Sequence, residues 1–203
     1  MFDFDLFVRT FLGLYFLLIG IQYTSTGLGI YQRTGESAIS YGDKGSATWW
    51  VRQVFNGFRA AILVVCIGRI FWPIDAYLGV FDALYQPAVL GAGITLLLVS
   101  FARISYVHAF MRQHWRSGIG SHSKTAPELL THGPFSRSRN PMFIAIMIGQ
   151  LGLFLALPSV FTLLCLMVGA AMIVFQASHE EHDLNGRFGD SYRQYQQQVK
   201  RWL

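Results

Sequence analysis

Charged residues are scarce in this sequence. They make up 13% of the 203 positions, whereas 53% of the residues are hydrophobic. Soluble domains carry about a quarter charged residues, so this chain has too little charge to coat a water-soluble globule. The apolar residues also fall in long runs separated by short polar connections. Composition and patterning together predict an all-α, polytopic helical membrane protein, and the length suits one compact bundle.

Cysteine and acidic residues are also few. Cys66 and Cys165 both fall in apolar runs, which argues against a disulfide framework or a cysteine-rich metal site and favours buried thiols. Lys and Arg outnumber Asp and Glu by 16 to 11, and the net charge is +5. The basic residues cluster at the ends of apolar runs. We therefore expect lipid headgroups, and not a nucleic acid, to face this charge.

The apolar runs predict five membrane spans. Runs of this length can cross the roughly 30 Å hydrocarbon layer, and Pro158 divides the last one into two spans joined by a tight turn. Lys and Arg fall in the connections 24–53 and 111–140 and in the tail, which predicts an outside N-terminus and a cytoplasmic C-terminus. Within the second run, Arg59 and Arg69 are expected to reach opposite interfaces. The runs cover residues 4–23, 54–72, 87–110 and 142–175.

A helical hairpin over 142–175 returns the chain to its starting side, so residues near Asn140 and Glu180 should meet at one membrane face. Glu180 and Glu181 directly follow the last apolar run and oppose both the local lipid charge and the helix dipole. They are either salt-bridged to an arginine or form an acidic wall for a cationic ligand. On these residues alone the salt bridge is favoured, with candidate partners Arg137, Arg139 and Arg187.

The segment before the fourth span favours a sharp turn and an anion site. Gly133-Pro134 sets the turn, and Asn140-Pro141 opens the span with proline in the first helical turn. Asn140 is a good N-cap. The helix start also suits a carboxylate or phosphate, and these two roles are compatible. His179 and His182 are spaced i, i+3 and do not form the zinc-protease pattern, so no metal is expected.

The C-terminal half, residues 113–201, resembles the isoprenylcysteine carboxyl methyltransferase and phospholipid methyltransferase superfamily of membrane enzymes. The resemblance rests on the order and spacing of several short motifs. These are His114-Trp115, the Leu130–Phe135 turn, Arg139-Asn140-Pro141-Met142-Phe143, Glu180-Glu181, Phe188-Gly189, Tyr192, Tyr195 and Val199-x-Arg201.

The resemblance implies that S-adenosylmethionine binds between the membrane face and the folded-over tail. It places Arg139 and the helix start at the cofactor carboxylate, one of the two glutamates at the ammonium, and aromatic faces near the sulfonium. Asn140 replaces the family's more usual His, so a protonatable role there is not expected. The implied cofactor-binding residues are His114, Leu130, Gly133, Phe135, Arg139, Asn140, Pro141, Phe143, Glu180, Glu181 and Tyr192.

The acceptor implied by the resemblance is a lipid or an isoprenoid-like molecule reached from the membrane. Residues 1–110 would then form a substrate-side scaffold of three spans, and residues 111–203 the methyltransferase core. In the first half, Arg33 and Arg59 are expected to serve packing and topology, with contact to a headgroup as the alternative. A non-catalytic scaffold or lipid-binding protein that keeps the same fold is the competing hypothesis. The sequence gives no indication of an oligomeric state.

Overall fold

The computed structural model describes residues 3–35, 37, 39, 43–111 and 128–202. This part of the chain is helical and contains no β-strand beyond isolated bridges such as that between Val80 and Ser159. The all-α prediction is confirmed. The helices are α1 (Phe4–Thr34), α2 (Ala47–Phe71), α3 (Asp75–Leu78), α4 (Pro87–Met111), α5 (Pro141–Ala156), α6 (Val160–Phe188) and α7 (Asp190–Gln198), with short 3-10 turns at Asp82–Leu84 and Gly133–Ser136.

Four of these helices, α1, α2, α4 and α6, are long and apolar enough to cross a membrane. Helix α5 is also apolar but has 16 residues, which corresponds to about 24 Å at 1.5 Å per residue. The chain is therefore a polytopic helical membrane protein with four long apolar helices and one shorter one, in keeping with the five predicted spans.

The predicted boundaries of the first two spans are wrong. Helix α1 continues past residue 23 to Thr34 and α2 already begins at Ala47, so the connection is much shorter than 24–53. Local hydrogen bonds explain the difference: the hydroxyls of Thr24 and Thr26 donate to carbonyls four residues earlier in α1, which keeps these polar residues within the helix. One consequence is that Arg59 lies at the middle of α2 and not near its end.

The predicted hairpin over 142–175 is confirmed. Helix α5 ends at Ala156 and α6 starts at Val160, where Ser159 and Thr162 form a reciprocal capping box. The turn is anchored to the connection between α2 and α4, since the backbone N–H of Phe81 donates to the carbonyl of Pro158 at 2.9 Å. The hairpin therefore reverses the chain within three residues.

Helices α4 and α5 form the closest helix pair. A Cβ on Gly93 would lie 2.3 Å from the backbone nitrogen of Ala156, and one on Gly152 would lie 2.9 Å from that of Leu97. Only glycine permits this backbone approach, which is typical of membrane helix pairs. The buried core beside it joins α1, α2, α4 and α5 and consists of Val8, Leu12, Tyr15, Cys66, Leu90, Leu97, Leu153, Ala156 and Leu157.

An ion network closes the end of the bundle that lies opposite Asn140. Arg69 is 1% exposed, and its Nε donates to Asp75 Oδ1 at 2.6 Å. Arg9 joins the other oxygen of Asp75 and also Asp5, both at 2.6 Å. A buried arginine is stable only when its charge is paired. Asp75 pairs with Arg9 of α1 and Arg69 of α2, so these contacts fix both helices to the connection that contains α3.

Asp75→Asn should destabilise the protein, because it leaves the buried Arg69 guanidinium without its carboxylate. We expect a loss of about 3 kcal/mol in the free energy of unfolding, measured by thermal unfolding in detergent. Asp82→Asn is the matched control, since Asp82 is exposed in the same connection. Equal melting temperatures for the two variants would contradict this role for Asp75.

Candidate active site

The turn before α5 is held against the end of α4. Gly133 has a φ of +60°, and a Cβ there would lie 2.3 Å from ring atom Cε2 of Phe110, so both the backbone conformation and the contact require glycine. The Phe110 ring also meets the rings of His132 and Phe135, with centroids 5.2 and 6.2 Å apart. The predicted sharp turn at Gly133-Pro134 is present as the 3-10 turn Gly133–Ser136.

Asn140 lies at the start of α5 but does not cap it with its side chain, so the capping interpretation of this side chain is wrong. Its amide nitrogen instead donates to Glu181 Oε1 at 3.4 Å and to the carbonyl of Arg201 at 3.3 Å. Asn140 is buried, and Pro141 is the first helical residue, as predicted. The amide makes long-range contacts in place of a local cap. Asn140 is therefore a junction between the start of α5, helix α6 and the segment around Arg201.

Glu181 is the acceptor at the centre of this junction. It is 7% exposed, and Arg201 binds it with two contacts, Nε to Oε1 at 3.0 Å and Nη2 to Oε2 at 2.9 Å. Arg139 Nη2 lies 3.4 Å from Oε1. Of the predicted salt-bridge partners, Arg139 is thus observed, and a two-pronged arginine–carboxylate pair adds strength and fixed geometry. The hairpin α5–α6 brings the two predicted clusters together, as expected.

Residues 199–202, here called the C-terminal strap, bind residues 138–141, here called the corner, mainly through their backbone carbonyls. The carbonyl of Lys200 accepts from the backbone N–H of Arg139 at 3.0 Å. The carbonyl of Arg201 accepts from the Ser138 hydroxyl at 3.0 Å. Sequence reasoning missed Ser138 and Arg201 as site residues. For Arg201, the Val199-x-Arg201 motif of the resemblance was the available indication. Ser138 could not be predicted, because its hydroxyl bonds to a backbone carbonyl and such a bond leaves no side-chain pattern in the sequence.

Glu180 has different surroundings from its neighbour. Its Oε1 accepts from Gln176 Nε2 at 2.9 Å, one turn earlier in α6. Within the described ranges, no Lys or Arg lies within salt-bridge distance of Glu180, whereas Glu181 has two arginines. The twin acids are therefore not equivalent: among the described residues, Glu181 is paired with two arginines and Glu180 with none.

Helix α7 folds back over the corner with two buried tyrosines. The Tyr195 hydroxyl donates to the carbonyl of Phe135 at 2.6 Å, and the ring of Tyr192 lies 6.0 Å from that of Tyr195. Burial raises the pKa of both phenols to about 12, and the charge of Glu181 adds to this effect. The side-chain hydrogen bond to Glu181 likewise raises the pKa of Arg201. All three groups keep their protons at neutral pH.

The predicted site residues divide into three groups. The first group lies at the corner and comprises Arg139, Asn140, Pro141 and Glu181. Tyr192 is buried near them, and the charges of Glu181 and Arg139 influence its pKa. Gly133 and Phe135 belong to the turn on α4, and Glu180 stands apart with Gln176. Three predicted residues fall outside these groups. Leu130 and Phe143 are half-buried, and His114 lies outside the described residues.

Arg201→Gln should loosen the C-terminal strap, because Glu181 then keeps only the longer contacts to Arg139 and Asn140 among the described residues. We expect a loss of about 1–3 kcal/mol in stability and faster hydrogen exchange over residues 190–202, measured by mass spectrometry. Arg193→Gln is the matched control, since that exposed side chain pairs with the exposed Asp190 alone among the residues that the structure describes, and it should change neither quantity. Unchanged exchange in Arg201→Gln would show that the strap is held without this ion pair.

The corner lies within a region of the chain that matches a known protein family. The family model described as phospholipid methyltransferase matches residues 87–191, from the start of α4 into α7, and so includes the turn, the Asn140 corner and both glutamates. Neither a curated protein nor a solved structure matches the chain. Because the family match spans more than half of the sequence, the chain belongs to the phospholipid methyltransferase family and is a membrane methyltransferase.

Proposed function

We propose that the protein transfers a methyl group from S-adenosylmethionine to a lipophilic acceptor, either lipid-like or isoprenoid-like, at the cytoplasmic membrane face. The observation that carries this proposal is the contact of Arg139 and Asn140 with Glu181 at one end of the α5–α6 hairpin, where Glu180 is the preceding residue. Family membership supports the reaction type. The Lys and Arg residues of the polar connections support the cytoplasmic orientation.

The corner offers suitable donors for the carboxylate of the cofactor. Arg139 is largely buried, and its Nε has no hydrogen-bond partner in the described part of the chain. The amide of Asn140 is held by two long hydrogen bonds of 3.3 and 3.4 Å, so a charged ligand could compete for it. The free N–H groups at the start of α5 add positive potential. We assign Arg139 and Asn140 to the carboxylate.

The two glutamates would then divide the remaining tasks. The charge of Glu181 is already compensated by Arg139 and Arg201, so its role is to position the corner. The Glu180 carboxylate has no basic partner among the described residues, so it is suited to pair with the ammonium of the cofactor. We therefore assign Glu180 to the ammonium and Glu181 to the support of Arg139 and Asn140.

The turn and the aromatic residues complete the proposed pocket. Leu130, Gly133 and Phe135 would flank the adenosine, and Phe143 and Tyr192 would lie near the sulfonium, where aromatic faces stabilise a cation. His114 remains a prediction. The bound cofactor supplies an electrophilic methyl group, and its transfer is an in-line displacement that needs little acid–base help. The residues named here therefore act by positioning the reactants and excluding water.

A non-catalytic scaffold that keeps the fold is the second candidate. It is favoured by one observation: the Glu181 carboxylate is already paired with Arg139 and Arg201 and accepts a hydrogen bond from Asn140. The two candidates differ in one measurable property, which is the affinity of the purified protein for S-adenosylmethionine. Calorimetry at millimolar ligand should give a binding isotherm if the methyltransferase proposal holds, and no heat if the protein is only a scaffold.

The comparison of Glu180→Gln with Glu181→Gln tests the division between the glutamates. Glu180→Gln should weaken cofactor binding by roughly 2–4 kcal/mol without a change in melting temperature, because only a ligand charge loses its partner. Glu181→Gln should lower both affinity and melting temperature. Asp190→Asn, an exposed acid in the same region, is the control. Wild-type affinity in Glu180→Gln would remove this residue from the site.

Methyl-labelled S-adenosylmethionine incubated with membrane lipid extracts tests the reaction itself. The wild-type protein should transfer the label to a product that partitions into organic solvent. Arg139→Ala should abolish this transfer while the protein still folds, since it removes the proposed carboxylate ligand. Cofactor binding without any labelled lipid would contradict the proposed lipophilic acceptor.

A further inference from the structure

Asn185 carries a buried hydrogen-bond acceptor that the proposed site has not used. It lies in α6, one helical turn beyond Glu181. Its Oδ1 is shielded from solvent and makes no hydrogen bond in the part of the chain that the structure describes. Because buried polar atoms in folded proteins normally have a hydrogen-bond partner, this oxygen indicates a donor that the described residues do not supply.

The helical repeat places Asn185 on the same face of α6 as Glu181. Each residue adds about 100° around a helix, so residues four apart lie only about 40° from one another. By the same count, Glu180 lies about 140° from Asn185. The Glu181 face is the one that meets the corner, since Arg139 and Asn140 both contact Glu181. Asn185 therefore extends this face of the site by one helical turn.

Two further polar groups near Glu181 also lack a hydrogen bond. Arg139 Nε is buried without one among the described residues. Tyr192 of α7 is 1% exposed, and its hydroxyl makes no hydrogen bond within the described ranges. A guanidinium donor, an amide acceptor and a phenol thus lie around a carboxylate that is already paired. This combination suits a ligand that both donates and accepts hydrogen bonds.

The fold places Asn185 between the two ends of the proposed cofactor site. On one side lies Glu181, which supports the residues assigned to the cofactor carboxylate. On the other side, α7 turns back at Gly189, and the Tyr195 hydroxyl ties it to the carbonyl of Phe135, in the turn assigned to the adenosine. In S-adenosylmethionine the ribose connects the amino acid end to the adenine. The ribose is therefore the part of the cofactor that corresponds to the position of Asn185.

We propose that Asn185 is a further cofactor-binding residue, whose Oδ1 accepts a hydrogen bond from a ribose hydroxyl of S-adenosylmethionine. This inference rests on the proposed function and adds recognition of the sugar to the contacts assigned at the two ends of the cofactor. The Asn185 side chain can meet the ligand without a change in the helix, because rotation about its Cβ–Cγ bond redirects Oδ1.

Calorimetry with S-adenosylhomocysteine and its 2′-deoxy and 3′-deoxy analogues tests this contact. S-Adenosylhomocysteine carries the same ribose and is the product of the proposed reaction. Removal of the hydroxyl that Asn185 binds should weaken binding to the wild type about tenfold, the size expected for one neutral hydrogen bond. Asn185→Leu should bind the parent compound about tenfold less tightly. It should show no further loss with that deoxy analogue, because the same contact is already missing.

Gln194→Leu is the matched control, since Gln194 is an exposed amide of α7. It should keep the wild-type affinity and the full loss with the deoxy analogue. Asn185→Asp places a charged acceptor at the same position, so removal of the hydroxyl should cost more affinity in this variant than in the wild type. The aspartate variant decides the question if the leucine variant does not fold.

Equal losses with each deoxy analogue in the wild type and in the folded Asn185 variants would overturn the inference, since the side chain would then act without touching the ribose. The proposed function would stand in that case, because the parent compound still binds. Absence of S-adenosylhomocysteine binding by the wild type would instead contradict the proposed function and this inference with it.

Discussion

The arrangement of the C-terminal half depends on one buried carboxylate, Glu181. A charge in such a place is stable only when it is paired and hydrogen-bonded, and its partners come from two distant segments: Arg139 precedes α5, and Arg201 belongs to the C-terminal strap. Satisfying Glu181 therefore requires the hairpin, the corner and the strap to meet.

Three buried or half-buried arginines illustrate different solutions to the same electrostatic problem. Arg69 pairs with Asp75 at the far end of the bundle, and Arg139 pairs with Glu181 at the corner. Arg59, between these ends, has only an aromatic ring to offset its charge among the described residues. The first contact links α1 and α2 to the connection that contains α3, the second is part of the proposed cofactor site, and the third is a cation–π contact within the bundle.

Local signals in the sequence were sufficient to predict much of the fold. The proline after Leu157 and the hydroxyl of Ser159 act within a few residues, so the hairpin could be located in advance. The lengths of α1 and α2 could not be predicted, because hydroxyls such as that of Thr24 bond to the helix backbone and conceal the polarity of the segment. Hydropathy counts such residues as loop-forming, and this also misplaced Arg59.

The candidate site was predictable where its residues follow a linear motif and not where they depend on tertiary contacts. The motif located Arg139, Asn140 and Glu181. It did not reveal that the Asn140 amide reaches across to Glu181 and the strap, or that Arg201 neutralises Glu181 from 20 residues further along the chain. Such contacts form only when α7 folds back, and spacing along the sequence carries no information about them.

In the proposed function, the corner and the two glutamates share one cofactor pocket. Ultraviolet cross-linking of methyl-labelled S-adenosylmethionine to the full-length protein, followed by peptide mapping, tests it most directly. We expect label in the peptides that contain residues 130–143 and 176–192, with competition by unlabelled cofactor. Competable label confined to α1 and α2 would place the cofactor elsewhere and contradict the proposed pocket.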